Sequence, residues 1–363
     1  MKVIEFFSGI GGIKCALNGN ILSNAISLTF DINDLANSVY RYNFTSPCYN
    51  KVIESISAEY LISLNADMWT MSPPCQPYTR NGNMMDLDDP RTAAMKHTLY
   101  LISQVRPHYI FFENVKGFES SNGRKMLVSI LSESAYSFQS QEFLLSPLQF
   151  GVPNSRLRYY LIAKLEGKGN LMQDLEAISY KPYFDRKLYQ CNCPVCSGRS
   201  RSLENDHVNH FERNLEFCDR ISAYLEADNL AEPHEGHKLI DEKVLEKGFS
   251  KLDIVTESSN KTCCFIKCYA KKIEGSGSYY QMTSCEEAHQ LKQLLLNGDI
   301  SSLDYAKRLQ LRYFSPREIA NFMCFPQSFR FPETVTRAQR YRLLGNSVNV
   351  KVVAHVLHWL ISA

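Results

Sequence analysis

Met68-Trp69-Thr70-Met71-Ser72-Pro73-Pro74-Cys75-Gln76-Pro77 is the stretch whose reading decides the fold. Its first four residues are an apolar run of the kind that makes a short buried strand. The two prolines end it abruptly, because each lacks an N–H and fixes its own φ. Cys75 is thereby delivered on a rigid loop at the carboxyl end of a strand, where open α/β sheets place their ligands. A lone cysteine is more often a small buried hydrophobe than a reagent, so the rest of the chain has to decide between the two.

Upstream, Lys2 to Phe7 reads as a first buried strand, followed by Ser8-Gly9-Ile10-Gly11-Gly12 and then by Ile13, Ala16 and Leu17 at helical spacing. A strand, glycine loop and helix in that order lets backbone approach a ligand closely, although a tight turn in any α/β protein would look the same. The dinucleotide fingerprint GxGxxG fails, since its third glycine would fall at Lys14. That favours a nucleoside ligand with a smaller anionic end. Ile26 to Phe30 reads as a second strand ending in Asp31, an acid about 20 residues beyond the glycines, which suits a ribose diol; a capping aspartate is the alternative. Val52-Ile53-Glu54 repeats the pattern more weakly.

Downstream of Cys75, Thr79 to Arg91 is polar, either a lid or plain surface, and helical periodicity resumes from Thr92 to Val105. Tyr109 to Phe112 reads as a further buried strand terminated by Glu113-Asn114-Val115. A carboxylate there is costly to bury unpartnered, so it caps a helix or does chemistry. In Arg156-Leu157-Arg158, ahead of a strand from Tyr159 to Ala163, both arginines share a side if the stretch is extended.

Composition turns more polar and less regular after Leu165, which predicts a smaller inserted domain over 167–310 between the two parts, 1–166 and 311–363, of a larger one. Within the insert, Cys191, Cys193 and Cys196 with His207 and His210 resemble a two-cysteine, two-histidine zinc set whose intervals are shorter than usual; a free-thiol cluster is the other reading, and no metal is assigned. Ala227 to His237 reads as an exposed loop. Thr262 to Lys267 and Lys271 to Ser278 either meet a phosphate backbone or form a hairpin. In the tail, Ser315-Pro316-Arg317-Glu318 is a capping box opening a helix through Met323. Thr336 with Gln339 opens another that closes at Gly345, and an apolar helix spans Val352 to Ile361.

The 363 residues are 44% apolar and 21% charged, enough for a sizeable core in one large domain or a large and a small one. A net charge of +2 confines any anion-binding face to a local patch. The first strand is interrupted by Glu5 and runs into glycines, unlike a signal peptide, and no run approaches the roughly 18 apolar residues of a membrane span. The 12 cysteines are then expected to be mostly free thiols in a reducing compartment.

Taken together, the glycine loop, Asp31, Pro73-Pro74-Cys75-Gln76, Glu113-Asn114-Val115, Arg156-Leu157-Arg158 and Gly345-Asn346-Ser347 fall in the order of the cytosine C5-methyltransferases, and the chain resembles that family over nearly its whole length. The finer resemblance is to the branch that looks like a DNA methyltransferase but modifies tRNA. It is carried by Ser72 to Pro77, Glu113-Asn114-Val115-Lys116-Gly117-Phe118-Glu119, Pro153 to Tyr159 and Tyr341 to Ser347. That branch has a Cys-Phe-Thr signature where this chain has Cys264-Phe265-Ile266.

The resemblance implies a Rossmann-like, S-adenosylmethionine-dependent methyltransferase sheet (α/β) with an inserted target-recognition domain. It further implies a covalent Cys75–C6 adduct, Glu113 on cytosine N3 and the exocyclic amine, Arg158 on the O2 side, and Arg156 steadying the nucleophile loop. S-adenosylmethionine would lie along Phe7 to Gly12, its methionine end at Ile10-Gly11-Gly12, with Asp31 and Ile32 at the ribose, Ile53 and Glu54 at the adenine, and Ser72, Pro73, Asn346 and Ser347 closing the site. The expected partner is tRNA, aspartate tRNA at cytosine 38, bound by a monomer in the cytoplasm and also the nucleus, with weak DNA binding and no membrane; Lys271, Lys272, Arg337, Arg340 and Arg342 are candidate phosphate contacts. A DNA cytosine C5-methyltransferase, a catalytically silent nucleic-acid-binding homologue and a cysteine hydrolase are the competing readings.

Overall fold

Strand β1 (Lys2–Phe6) is buried at every position after the first, which fits a strand covered on both faces. It pairs in parallel with β2 (Ile26–Asp31) on one side and with β4 (Met68–Met71) on the other. β2 continues to β3 (Cys48–Asn50) and β4 to β5 (Tyr109–Val115), again in parallel. β6 (Phe138–Leu145) and β7 (Arg158–Leu165) are antiparallel, and β7 lies between β6 and β5, completing the order β3-β2-β1-β4-β5-β7-β6. This is a computed structural model, and it describes residues 1–19, 22–78, 85–132, 138–165, 215–226 and 238–362.

The two-residue period of the strands divides the core into two layers. Val3, Phe111, Tyr160 and Ile162 pack with α1 (Gly12–Asn18), α2 (Asp34–Asn43) and α11 (Val350–Ser362). Ile4, Phe6, Trp69, Ile110, Phe112 and Leu161 pack with α3 (Ala58–Leu64), α4 (Ala93–Val105) and α5 (Asn122–Ser132) on the other face. After β1 the chain builds outward through β2 and β3, then returns to build through β4 and β5 in the opposite direction. The carboxyl ends of β1 and β4 therefore meet at the topological switch point, the crevice where such sheets bind ligands.

A second sheet joins the smaller inserted part to the tail: β9 (Ser278–Gln281) lies between parallel β8 (Asp253–Val255) and antiparallel β10 (Leu311–Tyr313), the first strand beyond the insert. Around it stand α6 (Glu242–Gly248), α7 (Cys285–Asn297) and α8 (Ser302–Arg308). α9 (Pro316–Phe322) and α10 (Arg337–Gly345) open on the two capping boxes read from the sequence. The layer between β9, β10 and α9 is aromatic, with Phe265, Phe314 and Phe322 in mutual ring contact. Into it is set a buried ion pair, Arg312 bonding both oxygens of Glu318 at 2.8 Å.

Several boundaries differ from expectation. β5 does not stop at Phe112 but runs through Val115, because β7 continues to pair with Glu113, Asn114 and Val115. Ile53–Ser55 is a 3-10 turn and the third strand is Cys48–Asn50, set by pairing with β2 from Thr29 to Asp31. From Thr262 to Ser278 the chain forms turns instead of a hairpin, and only Ser278 enters a strand. The cysteines and histidines of the zinc reading, the loop from Ala227 to His237, and residues 79–84 of the lid reading lie outside the described residues. Every cysteine among the described residues is a free thiol, and no helix among them is long and apolar enough to cross a membrane.

Candidate active site

The loop after β4 carries Cys75 out of the sheet, and a 3-10 turn from Gln76 to Tyr78 locks it in place, the Tyr78 N–H donating to the Cys75 carbonyl at 3.0 Å. Cys75 is half-buried at the wall of a cavity of about 730 Å³. Of the residues singled out in the sequence, Phe7, Ser8, Gly9, Ile10, Gly12, Asp31, Ile32, Ile53, Glu54, Ser72, Pro73, Cys75, Glu113, Arg156, Arg158, Asn346 and Ser347 all line it. Gly11 does not. It turns the chain with a φ of 88° beside Phe44 and Tyr40. Pro90 and Arg91, at the end of the segment read as a lid or plain surface, also line the cavity, as does Ala94, which the sequence reading missed. The only local signal was a charged Asp88-Asp89-Pro90-Arg91 cluster, which reads equally well as plain surface.

The floor of the cavity is the glycine loop. Phe7 leaves β1 with a φ of 57°, a strained conformation for a bulky side chain of the kind that clusters at binding sites. Asp31, at the end of β2, holds the loop down: one carboxylate oxygen accepts the Gly9 N–H at 2.8 Å and the other accepts the Asn33 N–H at 2.8 Å. Burial raises the Asp31 carboxyl above its ordinary range, while these backbone N–H bonds oppose the rise. The residues fit S-adenosylmethionine on two observations. Ser8 Oγ is buried with no partner among the described residues, a hydroxyl available to a polar ligand group. At Gly12 a Cβ would come within 2.9 Å of Ser347 Oγ and 2.8 Å of Val348 Cγ2, so glycine is what lets the loop meet the Asn346-Ser347 segment.

Opposite the glycine loop lie the charged groups. Glu113 points from β5 into the cavity, accepts a hydrogen bond from Ser72 Oγ at 2.6 Å, and has Arg158 Nε 3.8 Å from its other oxygen. Ser72 thus orients the carboxylate as well as lining the cavity. Arg158 and Arg156 do share a side, both directing guanidinium N–H groups at Cys264 Sγ, from 3.8 Å and 3.4 Å.

Among the described residues, Arg156 does not bond to the nucleophile loop. It donates to the carbonyls of Phe265, at 3.3 Å, and Gly345, at 3.2 Å, and to that of Ser347, so it clamps the inserted part to the Gly345-Asn346-Ser347 segment. Burial lifts the Cys75 thiol above its ordinary range, and Arg158, the largest opposing influence, does not offset it. Cys264 is the reverse: burial would raise it, but Arg156 and Arg158 together outweigh burial and hold it low.

Of the candidate phosphate contacts, Arg340 is corrected by its surroundings. It is buried, donates to the Val335 carbonyl at 2.9 Å, and stacks over Phe331. Arg337 donates to Tyr341 Oη at 3.1 Å, whereas Lys271, Lys272 and Arg342 are exposed.

The family model for C-5 cytosine-specific DNA methylase matches residues 1–362. The chain is 36% identical to the tRNA (cytosine(38)-C(5))-methyltransferase of Homo sapiens, covering 98% of each chain. It is 39% identical to a DNA (cytosine-5)-methyltransferase of Dictyostelium discoideum, covering 100% of this chain and 94% of that one. Among solved structures, a mutant of Spodoptera frugiperda DNMT2 superposes with a TM-score of 0.77 at 34% identity, covering 99% of both chains, and Schizosaccharomyces pombe Dnmt2 methyltransferase with 0.75 at 32%, covering 99% and 98%.

Proposed function

The chain belongs to the C-5 cytosine-specific DNA methylase family, in its Dnmt2 branch, and on that premise we propose that it methylates cytosine 38 in the anticodon loop of aspartate tRNA through an adduct of Cys75 with C6. Methyl transfer to cytosine C5 from S-adenosylmethionine comes with the family. The observation that carries the residue roles is that Cys75, Glu113 and Arg158 line one cavity with the glycine loop.

Cytosine C5 is too poor a nucleophile to act unaided, so the chemistry starts at C6. The Cys75 thiolate forms a bond to C6, and the displaced electron pair moves through C5 and C4 onto N3, which takes a proton from the Glu113 carboxyl. General acid help of this kind is worth about 10²–10⁴-fold. C5 is then enamine-like. When bound, S-adenosylmethionine supplies a methyl group on a positively charged sulfur, the electrophile that such a carbon takes up. Loss of H5 as a proton to solvent restores the C5–C6 double bond and expels the Cys75 thiolate, and N3 returns its proton to the Glu113 carboxylate. Because burial holds the resting thiol up, Cys75 must shed its proton to solvent as the base arrives, and the charge of Arg158 favours the thiolate.

An anticodon loop suits this site because its bases are already partly unstacked, so less energy is spent extruding one. In this reading 1–166 with 311–363 is the catalytic domain, 167–310 the target-recognition domain, and the protein a monomer of the cytoplasm and nucleus with weak affinity for DNA. Incubation with labelled methyl donor and either tRNA or duplex DNA tests the substrate. Label in the anticodon loop of aspartate tRNA is expected, and label in DNA alone would reverse the assignment in favour of the activity named for the Dictyostelium relative.

A further inference from the structure

Among the described residues, three arginines line the cavity, and two of them are already committed. Arg156 is buried and bonded to three backbone carbonyls, and the Arg158 side chain is 14% exposed and turned toward Glu113 and Cys264. The third, Arg91, stands differently. Its side chain is 46% exposed, and it is held by a buried carboxylate: Nε donates to Asp89 Oδ1 at 2.8 Å and Nη2 to Asp89 Oδ2 at 2.5 Å. Asp89 also accepts the Arg91 N–H at 3.0 Å, so backbone and guanidinium are fixed by one side chain. That fork leaves Nη1 with no bond among the described residues. Arg91 and Cys75 line the same cavity.

The turn that carries Arg91 is anchored as well. Asp86 accepts the Asn122 and Gly123 N–H groups of α5 at 2.6 and 3.0 Å, and Thr92 Oγ1 bonds the Leu87 and Asp89 carbonyls at 3.1 and 2.7 Å. A pre-oriented, half-exposed cation at the rim of a cavity that takes a single base meets a simple requirement. Any nucleotide brought to Cys75 carries its own phosphodiester, which cannot follow the base inside and has to stay at the rim.

We propose that Arg91 is a positioning residue that holds the backbone phosphate of the nucleotide bearing the target cytosine. This rests on the nucleic-acid substrate assigned above. The guanidinium offers the phosphate a charge-assisted hydrogen bond whose direction is set before the substrate arrives, so its effect falls on substrate binding more than on the chemical step. The methionine carboxylate of the cofactor is the other anion with similar chemistry, and the experiment separates the two.

Methyl transfer to tRNA and, in parallel, to duplex DNA is measured for the wild type, Arg91→Gln, Arg91→Lys and Asp89→Asn, with S-adenosylmethionine affinity by calorimetry and Tm for each. For Arg91→Gln a KM for the nucleic acid raised about ten-fold or more is expected, with kcat changed far less and cofactor Kd unchanged. The slope of log affinity against log salt should become shallower by about 0.7–0.9, the loss of one phosphate contact, and Arg91→Lys should restore much of both. A cofactor Kd that weakens while the nucleic-acid KM holds would assign Arg91 to the carboxylate and overturn the proposal. So would an unchanged salt slope with losses that merely follow Tm, as Asp89→Asn would then match. Wild-type activity on DNA alone would defeat the tRNA reading while leaving the Arg91 comparison readable on DNA.

Discussion

Gly345→Ala tests the join between the inserted part and the cofactor wall. Gly345 ends α10, where alanine in place of glycine would ordinarily stabilise a helix by about 1 kcal/mol. Here a Cβ would stand 2.7 Å from Lys267 Cα and closer still to the Lys267 nitrogen and the Ile266 carbonyl carbon. These are backbone atoms, so no side chain can swing away, and the segment must shift by most of an ångström. Overpacking of that kind costs about 1–3 kcal/mol. The shift also pulls on the Arg156 bonds to the Phe265, Gly345 and Ser347 carbonyls.

The expected result is a Tm lower by roughly 2–6 °C, taking about 2 °C per kcal/mol for a chain of this size. S-adenosylmethionine should bind several-fold more weakly, because Gly345, Asn346 and Ser347 line the cavity. Scanning fluorimetry and calorimetry read the two effects. Gly298→Ala is the comparison: φ is 82° there with open space around it, so it should lower Tm by backbone strain while leaving cofactor binding alone. An unchanged or raised Tm for Gly345→Ala, with cofactor affinity intact, would refute the reasoning.

Glu318→Gln should cost about 3–5 kcal/mol in chemical denaturation, because it strands the buried Arg312 guanidinium among aromatic rings. Burial raises the Glu5 carboxyl from 4.5 to about 7, so the folded state holds that proton more tightly than the unfolded chain. Stability should therefore fall by about 3 kcal/mol as pH rises from 4.5 to 7, and Glu5→Gln should flatten that decline in denaturation curves taken across the range. Cys75, lifted by burial, should react with iodoacetamide with a midpoint above that of an ordinary thiol, and Arg158→Leu should move it higher still; a midpoint below the ordinary thiol range, read by mass spectrometry, contradicts the electrostatics.

What could be read from the sequence was what local chemistry dictates. The strand Met68–Met71 ends where two prolines forbid its continuation, and the helices at Pro316 and Arg337 start where Ser315 with Glu318 and Thr336 with Gln339 cap them. The glycine loop and the strand-end acids assembled at one cavity because a parallel sheet gathers its carboxyl ends. What could not be read depended on partners far along the chain. β5 runs on to Val115 only because β7 pairs with it, and β3 is placed by its register with β2. No spacing rule indicates that Arg156 turns to carbonyls at 265, 345 and 347, that Arg340 stacks inward on Phe331, or that Cys264 sits between two guanidinium groups. Arg91 was seen only as the end of a polar segment for the same reason, since its fork with Asp89 is visible only once the turn is folded.

The most direct measurement replaces the target cytosine of the anticodon loop with 5-fluorocytosine and incubates this RNA with enzyme and S-adenosylmethionine. Fluorine at C5 cannot leave as a proton, so the C5–C6 double bond cannot reform and the sulfur stays attached. A complex that survives denaturation, with the RNA joined to the peptide containing Cys75 and lost in Cys75→Ala, is the predicted result. Turnover without any such complex, or a cross-link at another residue, would contradict the account.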